Sequence, residues 1–251
     1  MIIVHGYILF NLFDLVFFNI CIYIIPMKSK IIISGQPGAG STTISLILSY
    51  LLKYKYIYTG MVQRDLAKAL GYDSEGEAFV RYTKEKESKY DKDVDRLVRE
   101  EFLKNEKIIL DSKIHGFFDY SGVDVLKVYV ICSKEKRNQR IIAQGRKDGL
   151  ELLDQREKAN RDGWFEIYGF DIFDEKQIRE KYDLVIDSTN QNIAETLHEI
   201  VKKLEVDIPE SDLVSISEVY WAKGKSFFRG ELAKQNLLLD TKPIVNELLK
   251  L

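Results

Sequence analysis

The chain has 251 residues, 45% hydrophobic and 30% charged, which is the mixture of a globular fold and excludes wholesale disorder or a collagen-like rod. Its 37 basic and 39 acidic residues are spread along the sequence and leave a formal charge of −2, which argues against a nucleic-acid-coating protein with its basic stripe. Cys21 and Cys132 are the only cysteines and lack metal-ligand spacing, so a reducing compartment, the cytoplasm, is the expected location.

The first 26 residues hold nearly all the excess hydrophobicity: Ile, Phe, Leu, Val and Tyr, with no Lys or Arg. The stretch is long enough to cross a bilayer, which takes about 20 apolar residues, and Lys28 and Lys30 would hold the rest of the chain on the cytoplasmic side. Asp14 near its centre opposes that reading, since a carboxylate there costs roughly 2.5–3.5 kcal/mol on insertion scales. A secretory signal fits less well, because a basic leading segment and a small-residue cleavage site are both missing. The composition is that of translated A/T-rich DNA, and Met27 is followed at once by Lys28-Ser29-Lys30 and a strand. The expectation is a working protein that starts at Met27, with a membrane anchor over 1–26 as the alternative.

From Met27 onward, Lys30-Ile31-Ile32-Ile33-Ser34 is an apolar run ending in a glycine-rich turn and predicts a buried strand. Residues 41–54 repeat apolar side chains at helical spacing. Segments 61–70 and 92–105 are helical with one charged face, and the polar stretch around Tyr82 between them also reads as helix. Ile108 to Asp111 is a second buried strand and Val128 to Cys132 a third. Helices are expected over 134–144 and 149–162, a strand over Tyr182–Asp187 and an amphipathic helix over 191–204. Near-continuously apolar strands alternating with helices predict an α/β fold of three layers, a parallel sheet covered on both faces. Residues 207–251 follow as a helical C-terminal extension expected to pack on the core or on a partner subunit. The expected divisions are therefore 1–26, 27–206 and 207–251.

Gly35-Gln36-Pro37-Gly38-Ala39-Gly40-Ser41-Thr42-Thr43 joins the first strand to the first helix, the context that the phosphate-loop pattern G-x-x-x-x-G-K-[ST] requires. Glycines 35, 38 and 40 permit the backbone to turn successive N–H groups inward around an anion. The helix opening near Ser41 adds its positive end. Thr42 occupies the place of the hydroxyl that ligates Mg²⁺. Ser41 stands where the pattern has lysine, whose ammonium contributes roughly 4 kcal/mol at about 4 Å and an effective dielectric of 20. Loss of one such preorganised contact costs on the order of 10²–10³ in rate. The candidates for a replacement cation are Arg140, Arg146, Arg156 and Arg161.

Several later segments carry a resemblance. Thr59 to Lys68 looks like G-D-x-F-R-x-x-A with Arg64 at the arginine, and Asp91-Lys92-Asp93-Val94-Asp95-Arg96 like D-x-x-I-D-x-R. Leu110-Asp111-Ser112-Lys113 stands where that pattern has L-E-G-R. Arg156, Glu157, Arg161, Trp164 and Tyr168-Gly169-Phe170-Asp171-Ile172 resemble R-E-x-S-x-R-x-R-Y…Y-G-I-D, and Tyr182 to Ser188 matches Y-D-L-V-I-D-T. From Met27 to about Val206 the chain thus resembles a cytidylate kinase of the compact archaeal type, within the nucleoside monophosphate kinases.

The resemblance implies a P-loop fold with a helical monophosphate-binding segment and a lid, ATP and Mg²⁺ as cofactors, and small nucleotides as partners. It implies that Gly35, Gly38, Ala39, Gly40, Ser41, Thr42 and Thr43 hold the ATP phosphates and that Thr42 and Asp111 hold the metal. Arg64, Asp91, Asp95 and Lys113 would bind the acceptor, with Arg156, Arg161 and Lys113 acting on the transferring group. An adenylate kinase would show a D-G-F-P-R-type segment, which Asp111 to Gly116 does not resemble, so CMP or dCMP is the expected acceptor and His115 a bystander. Four departures stand out: Ser41, Met61 for the aspartate, Lys113 for an arginine fork it does not equal, and Gly163 for a third lid arginine. They keep open a nucleotide-binding module with weak or lost kinase activity, and another small-molecule P-loop kinase.

Overall fold

Three consecutive isoleucines make β1 (Lys30–Gly35) apolar on both sides, and it is buried along its whole length at the centre of the sheet. The computed structural model of the protein describes residues 28–72, 81, 88–143 and 149–251. The leader over 1–26, the helix expected around Tyr82, and Arg146 lie outside the described residues. Strands β2 (Lys55–Tyr58), β3 (Ile108–Asp111), β4 (Val125–Ile131) and β5 (Leu184–Asp187) pair in the order β2-β3-β1-β4-β5, all parallel. The chain leaves β1 to one side through β2 and β3 and then crosses to β4 on the other. The carboxyl end of β1 is therefore the point where strand order reverses, the place where open α/β sheets bind ligands.

The helices are α1 (Ser41–Leu52), α2 (Thr59–Ala69), α3 (Ser88–Lys104), α4 (Lys134–Ala143), α5 (Gly149–Tyr168), α6 (Glu175–Lys181), α7 (Ile193–Lys203), α8 (Glu210–Lys234) and α9 (Lys242–Leu248). Strand alternation sends Ile31 and Ile33 into a core with α1, α7 and α8, and Ile32 into a second core with α2, α3 and α9. A third, aromatic cluster of Phe117, Tyr129, Tyr168, Phe170 and Tyr182 seats the end of α5 against β4, with Phe117 stacked on Phe170 at 5.0 Å. Asn192 and Glu195 form a reciprocal cap at the start of α7. No helix among the described residues is long and apolar enough to cross a membrane.

Three elements differ most from the sequence expectation, one of them α6, a helix in a stretch where none is expected, started by the Asp174 side chain accepting from Lys176 N–H and Gln177 N–H. Strand β2 falls in a stretch with no predicted strand, because α1 ends on Lys53 with φ 56° and neither glycine nor proline marks the stop. Helix α5 runs on to Tyr168, six residues past its expected end, because Trp164 and Tyr168 pack into the aromatic cluster.

The C-terminal extension clasps the sheet. Leu213, Ile216, Tyr220, Phe228 and Leu232 of α8 enter the core over α1, and Phe228 meets Tyr50 edge-on at 5.6 Å. The chain then pairs with the exposed side of β2: Tyr56 N–H donates to Leu237 O at 2.7 Å, and Leu239 N–H to Tyr56 O at 3.0 Å. This covers an edge that would otherwise present unpaired backbone groups. Beyond it, Ile244, Val245 and Leu248 of α9 are buried in the core on the opposite face. Helix α8 breaks at Gly224, whose φ of 73° and ψ of −176° belong to a region essentially reserved for glycine.

Phe228 is completely buried, so Phe228→Ala is expected to lower the unfolding free energy by about 3–5 kcal/mol. Urea denaturation followed by circular dichroism is the check. A single shifted transition is expected if the extension and the sheet form one cooperative unit. A change under about 1 kcal/mol, or a separate early transition, would contradict it.

Candidate functional site

The loop after β1 is shaped by close packing and by donors on its carbonyl side. A Cβ on Gly35 would lie 2.8 Å from the Val130 carbonyl oxygen, so only glycine lets the loop leave β1 alongside β4. Gly38 has φ 83° and sits against α4, where a Cβ would meet Arg137 O and the end of Ile141 at 3.0 Å. Arg137 Nη1 donates to Pro37 O at 3.0 Å. Arg140 Nη1 donates to Ala39 O at 3.1 Å, and the Ser188 hydroxyl to the same oxygen at 2.9 Å. In a trans peptide the C=O and the following N–H point in opposite directions. Pinning the Pro37 and Ala39 carbonyls therefore turns the N–H groups of Gly38 and Gly40 to the other side, where the positive end of α1 also points. The result is backbone arranged in the way that suits an anion.

Arg140, expected among the cations that replace the lysine, faces the carbonyl side of this loop, with further bonds to Ser188 O at 2.6 Å and Gln191 O at 3.4 Å. Arg137 is also tied to Glu157 of α5 at 3.3 Å, with both side chains largely buried. The sequence alone assigns Arg137, Ser188 and Gln36 no part in shaping the loop. They lie far from it in the chain, apart from Gln36, whose Oε1 accepts the Cys132 N–H at 3.2 Å. A pair of arginines three apart in the helix after β4 was the available signal.

Thr42, at the first turn of α1, lies near Asp111 at the end of β3, and its hydroxyl favours the ionised carboxylate there. Asp111 also accepts from the Tyr56 hydroxyl at 2.9 Å. Burial pushes the Asp111 carboxyl up to about 6; the hydrogen bonds from Thr42 and Tyr56 and the positive charges of Lys225 and Arg229 oppose that rise. One hydroxyl and one carboxylate side by side suit Mg²⁺, which keeps several waters and takes its other ligands from phosphate oxygens. Thr43 is buried, and its Oγ1 lies 2.7 Å from the Tyr220 hydroxyl, joining the loop helix to α8. Ser41 opens α1 partly exposed.

Arg64 lies on α2 and is half-buried. Its neighbour Gln63 donates to Asp91 of α3 at 3.4 Å. Asp91 and Asp95 are one helical turn apart and both buried. Asp95 accepts the Tyr168 hydroxyl at 2.9 Å, which ties the end of α5 to α3. Lys113 sits with its ammonium 5.8 Å from the Trp164 ring, so it too lies against α5. Arg161 makes a two-pronged ion pair with Asp171 and lies over Phe173 at 5.3 Å. Arg156 is on α5, and its side chain lies outside the described residues. The structure thus gathers the loop, Thr42 and Asp111 at one end of the sheet and joins α3 to α5 through Asp95, while Arg161 is engaged by Asp171.

His115 is buried and holds the backbone of Asp95. Its Nε2 lies 3.1 Å from the Asp95 backbone oxygen, which can only accept, so Nε2 carries the proton and Nδ1 accepts from the Ser112 hydroxyl at 2.7 Å. Burial pushes the imidazole down from 6.5 to about 4, against the pull of the Asp95 carbonyl and with help from Arg99.

Residues 31–163 match the family model described as an AAA domain. A cytidylate kinase from Sulfolobus acidocaldarius is 32% identical over 165 residues, covering 64% of this chain and 85% of that protein. A cytidylate kinase from Saccharolobus islandicus is 30% identical over 170 residues, covering 65% and 84%. Among solved structures, a shikimate kinase from Acinetobacter baumannii aligns at a TM-score of 0.48 and 19% identity, over 72% of this chain and 94% of that one.

Ionised Asp111 is costly in its buried place, so Asp111→Asn is expected to stabilise the metal-free protein at pH 8, by about 1–3 kcal/mol. The gain shrinks as pH falls through 6 toward 3.8, where the carboxyl is protonated in folded and unfolded chains alike. His115 acts with the opposite sign: between 6.5 and 4 the unfolded chain takes up a proton that the folded one refuses, so its contribution to stability falls as pH drops. Thermal unfolding of both proteins from pH 8 to 4 checks the pair. A pH-independent difference, or a destabilised variant at pH 8, would contradict the assignment.

Proposed function

The chain belongs to the cytidylate kinase-like family of P-loop kinases, and from that premise we propose that it transfers the γ-phosphoryl group of ATP to a nucleoside monophosphate, CMP or dCMP, giving the diphosphate. The observation that carries this reading is the Thr42–Asp111 pair beneath a loop whose carbonyls are tied back by Arg137, Arg140 and Ser188. That arrangement offers backbone donors to phosphate oxygens and two protein oxygens to a divalent cation at the same point.

Phosphoryl transfer asks the protein for positioning and charge neutralisation rather than for covalent chemistry. Gly35, Gly38, Ala39, Gly40, Ser41, Thr42 and Thr43 form the donor phosphate cradle, with Thr43 acting through its bond to Tyr220 as an anchor of the helix. Thr42 and Asp111 would hold Mg²⁺, which would supply positive charge to neutralise the charge that develops during transfer. Arg64 and Lys113 hold the acceptor phosphate from the α2 and α5 sides. Asp91 and Asp95 face the acceptor base, Asp95 fixed by Tyr168 and by the His115 that grips its backbone. Arg156 and Arg161 of α5 close over the transferring group, which for Arg161 means exchanging the Asp171 carboxylate for phosphoryl oxygens. Closure excludes water that would otherwise compete as acceptor.

The test is an acceptor screen with ATP and Mg²⁺, following nucleoside diphosphate. Turnover near 1 s⁻¹ or above is expected with CMP or dCMP, at the low end of ordinary enzyme rates. Arg64→Gln should raise the acceptor KM at least tenfold, roughly the loss of a charge-assisted contact, and leave the ATP KM within about twofold. CMP and dCMP inert while another acceptor is phosphorylated would replace this reading with a different small-molecule kinase. ATP binding without turnover on any acceptor would make the chain a nucleotide-binding module.

A further inference from the structure

The lysine absent from position 41 leaves the donor site short of one positive charge, and the C-terminal extension brings two toward it. Helix α8 is anchored to the first turn of α1 by the Tyr220–Thr43 bond at 2.7 Å. Four residues later Gly224, at φ 73°, breaks the helix and re-aims its second half. Lys225 and Arg229 lie in that second half, four residues apart and so on one face. Arg229 lies with its guanidinium 5.8 Å from the Tyr58 ring, and Tyr58 is the register partner of Asp111. Tyr56, two residues earlier on the same side of β2, is the tyrosine that donates to Asp111. The Nε of Arg229 is buried, with no hydrogen-bond partner among the described residues.

The other arginines around the loop are differently placed. Arg137 and Arg140 approach from the carbonyl side, and Arg161 is engaged by Asp171. A guanidinium beside the metal pair is suited to phosphate, because its planar fork can donate two parallel hydrogen bonds and it stays charged in a partly dry site. We propose that Arg229, with Lys225 beside it, contacts the donor phosphates and supplies from the extension the positive charge that Ser41 does not. The inference rests on the phosphoryl-transfer reading above for the identity of the ligand. It makes residues 207–251 part of the donor site as well as part of the core.

The experiment is calorimetric binding of inorganic tripolyphosphate, and of ATP with and without Mg²⁺, to the full chain and to four variants: Arg229→Gln, Arg229→Lys, Lys225→Gln and Lys234→Gln. Lys234 is exposed at the end of the same helix and pairs with Glu231, so it controls for a general loss of positive charge. Arg229→Gln is expected to weaken both ligands at least tenfold and Lys225→Gln by a smaller factor. Arg229→Lys should fall between Arg229→Gln and the native chain, and Lys234→Gln should stay within twofold. Adding Ser41→Lys to Arg229→Gln should recover much of the lost affinity, which repair of a purely structural defect would not do. Wild-type affinity in Arg229→Gln, or a loss that Ser41→Lys leaves unrepaired, would overturn the inference while leaving the kinase reading standing. Arg229-dependent triphosphate binding in a protein that phosphorylates no acceptor would support the inference and remove the kinase reading. Absence of triphosphate binding in the native chain would remove both.

Discussion

The polarity of the peptide bond constrains everything built around the Gly35–Thr43 loop. Backbone that shows its N–H groups to an anion must turn its carbonyls the other way, into protein, where each needs a donor or costs about 1–3 kcal/mol. Arg137, Arg140 and Ser188 supply those donors, and they come from the helix after β4 and the turn after β5. The loop can therefore keep its shape only if β4 and β5 lie beside β1 on that flank and α4 docks against Gly38. Arg137 passes the constraint on to α5 through Glu157, so that helix belongs to the same network as the Gly35–Thr43 loop.

On the other flank the governing feature is one buried carboxylate. Asp111 is forced into a dry place by its position at the end of β3, and the groups that make this tolerable are Thr42, Tyr56, Lys225 and Arg229. Two of these four belong to the C-terminal extension. The same extension fills the core over α1 with Phe228 and Leu232, covers the β2 edge with Leu237 and Leu239, and buries α9 on the far face. The extension thus contributes both to the core and to the surroundings of Asp111, with α8 bent at Gly224 between the two halves that do so.

Much of the fold was legible in the sequence because its strongest signals are local. The isoleucine run of β1, the glycines after it and the apolar repeat of α1 specify strand, turn and helix without outside help. Strand β2 was not legible, since Lys55–Tyr58 is four residues long and its identity comes from pairing with β3 and with Leu237–Leu239, far away in the chain. The Thr42 and Asp111 positions were readable from the motif and the strand end. The Arg137 and Arg140 grip, the Tyr220–Thr43 joint and the approach of Arg229 were not. Each depends on long-range packing that brings a surface-looking residue of a charged helix to the loop, and nothing in local spacing distinguishes such an arginine from a solvated one.

The position of a bound triphosphate decides between a working donor site and a loop that only resembles one. The most direct measurement is a crystal structure of the full chain with Mg²⁺ and a non-hydrolysable ATP analogue. The expected result is phosphate oxygens within about 2.7–3.1 Å of the Gly38 and Gly40 N–H groups, Mg²⁺ bound by Thr42 and Asp111, and the Arg229 guanidinium in hydrogen-bond contact with the triphosphate. A triphosphate lodged away from the loop, or bound there with Arg229 still turned to Tyr58 and making no phosphate contact, would contradict it.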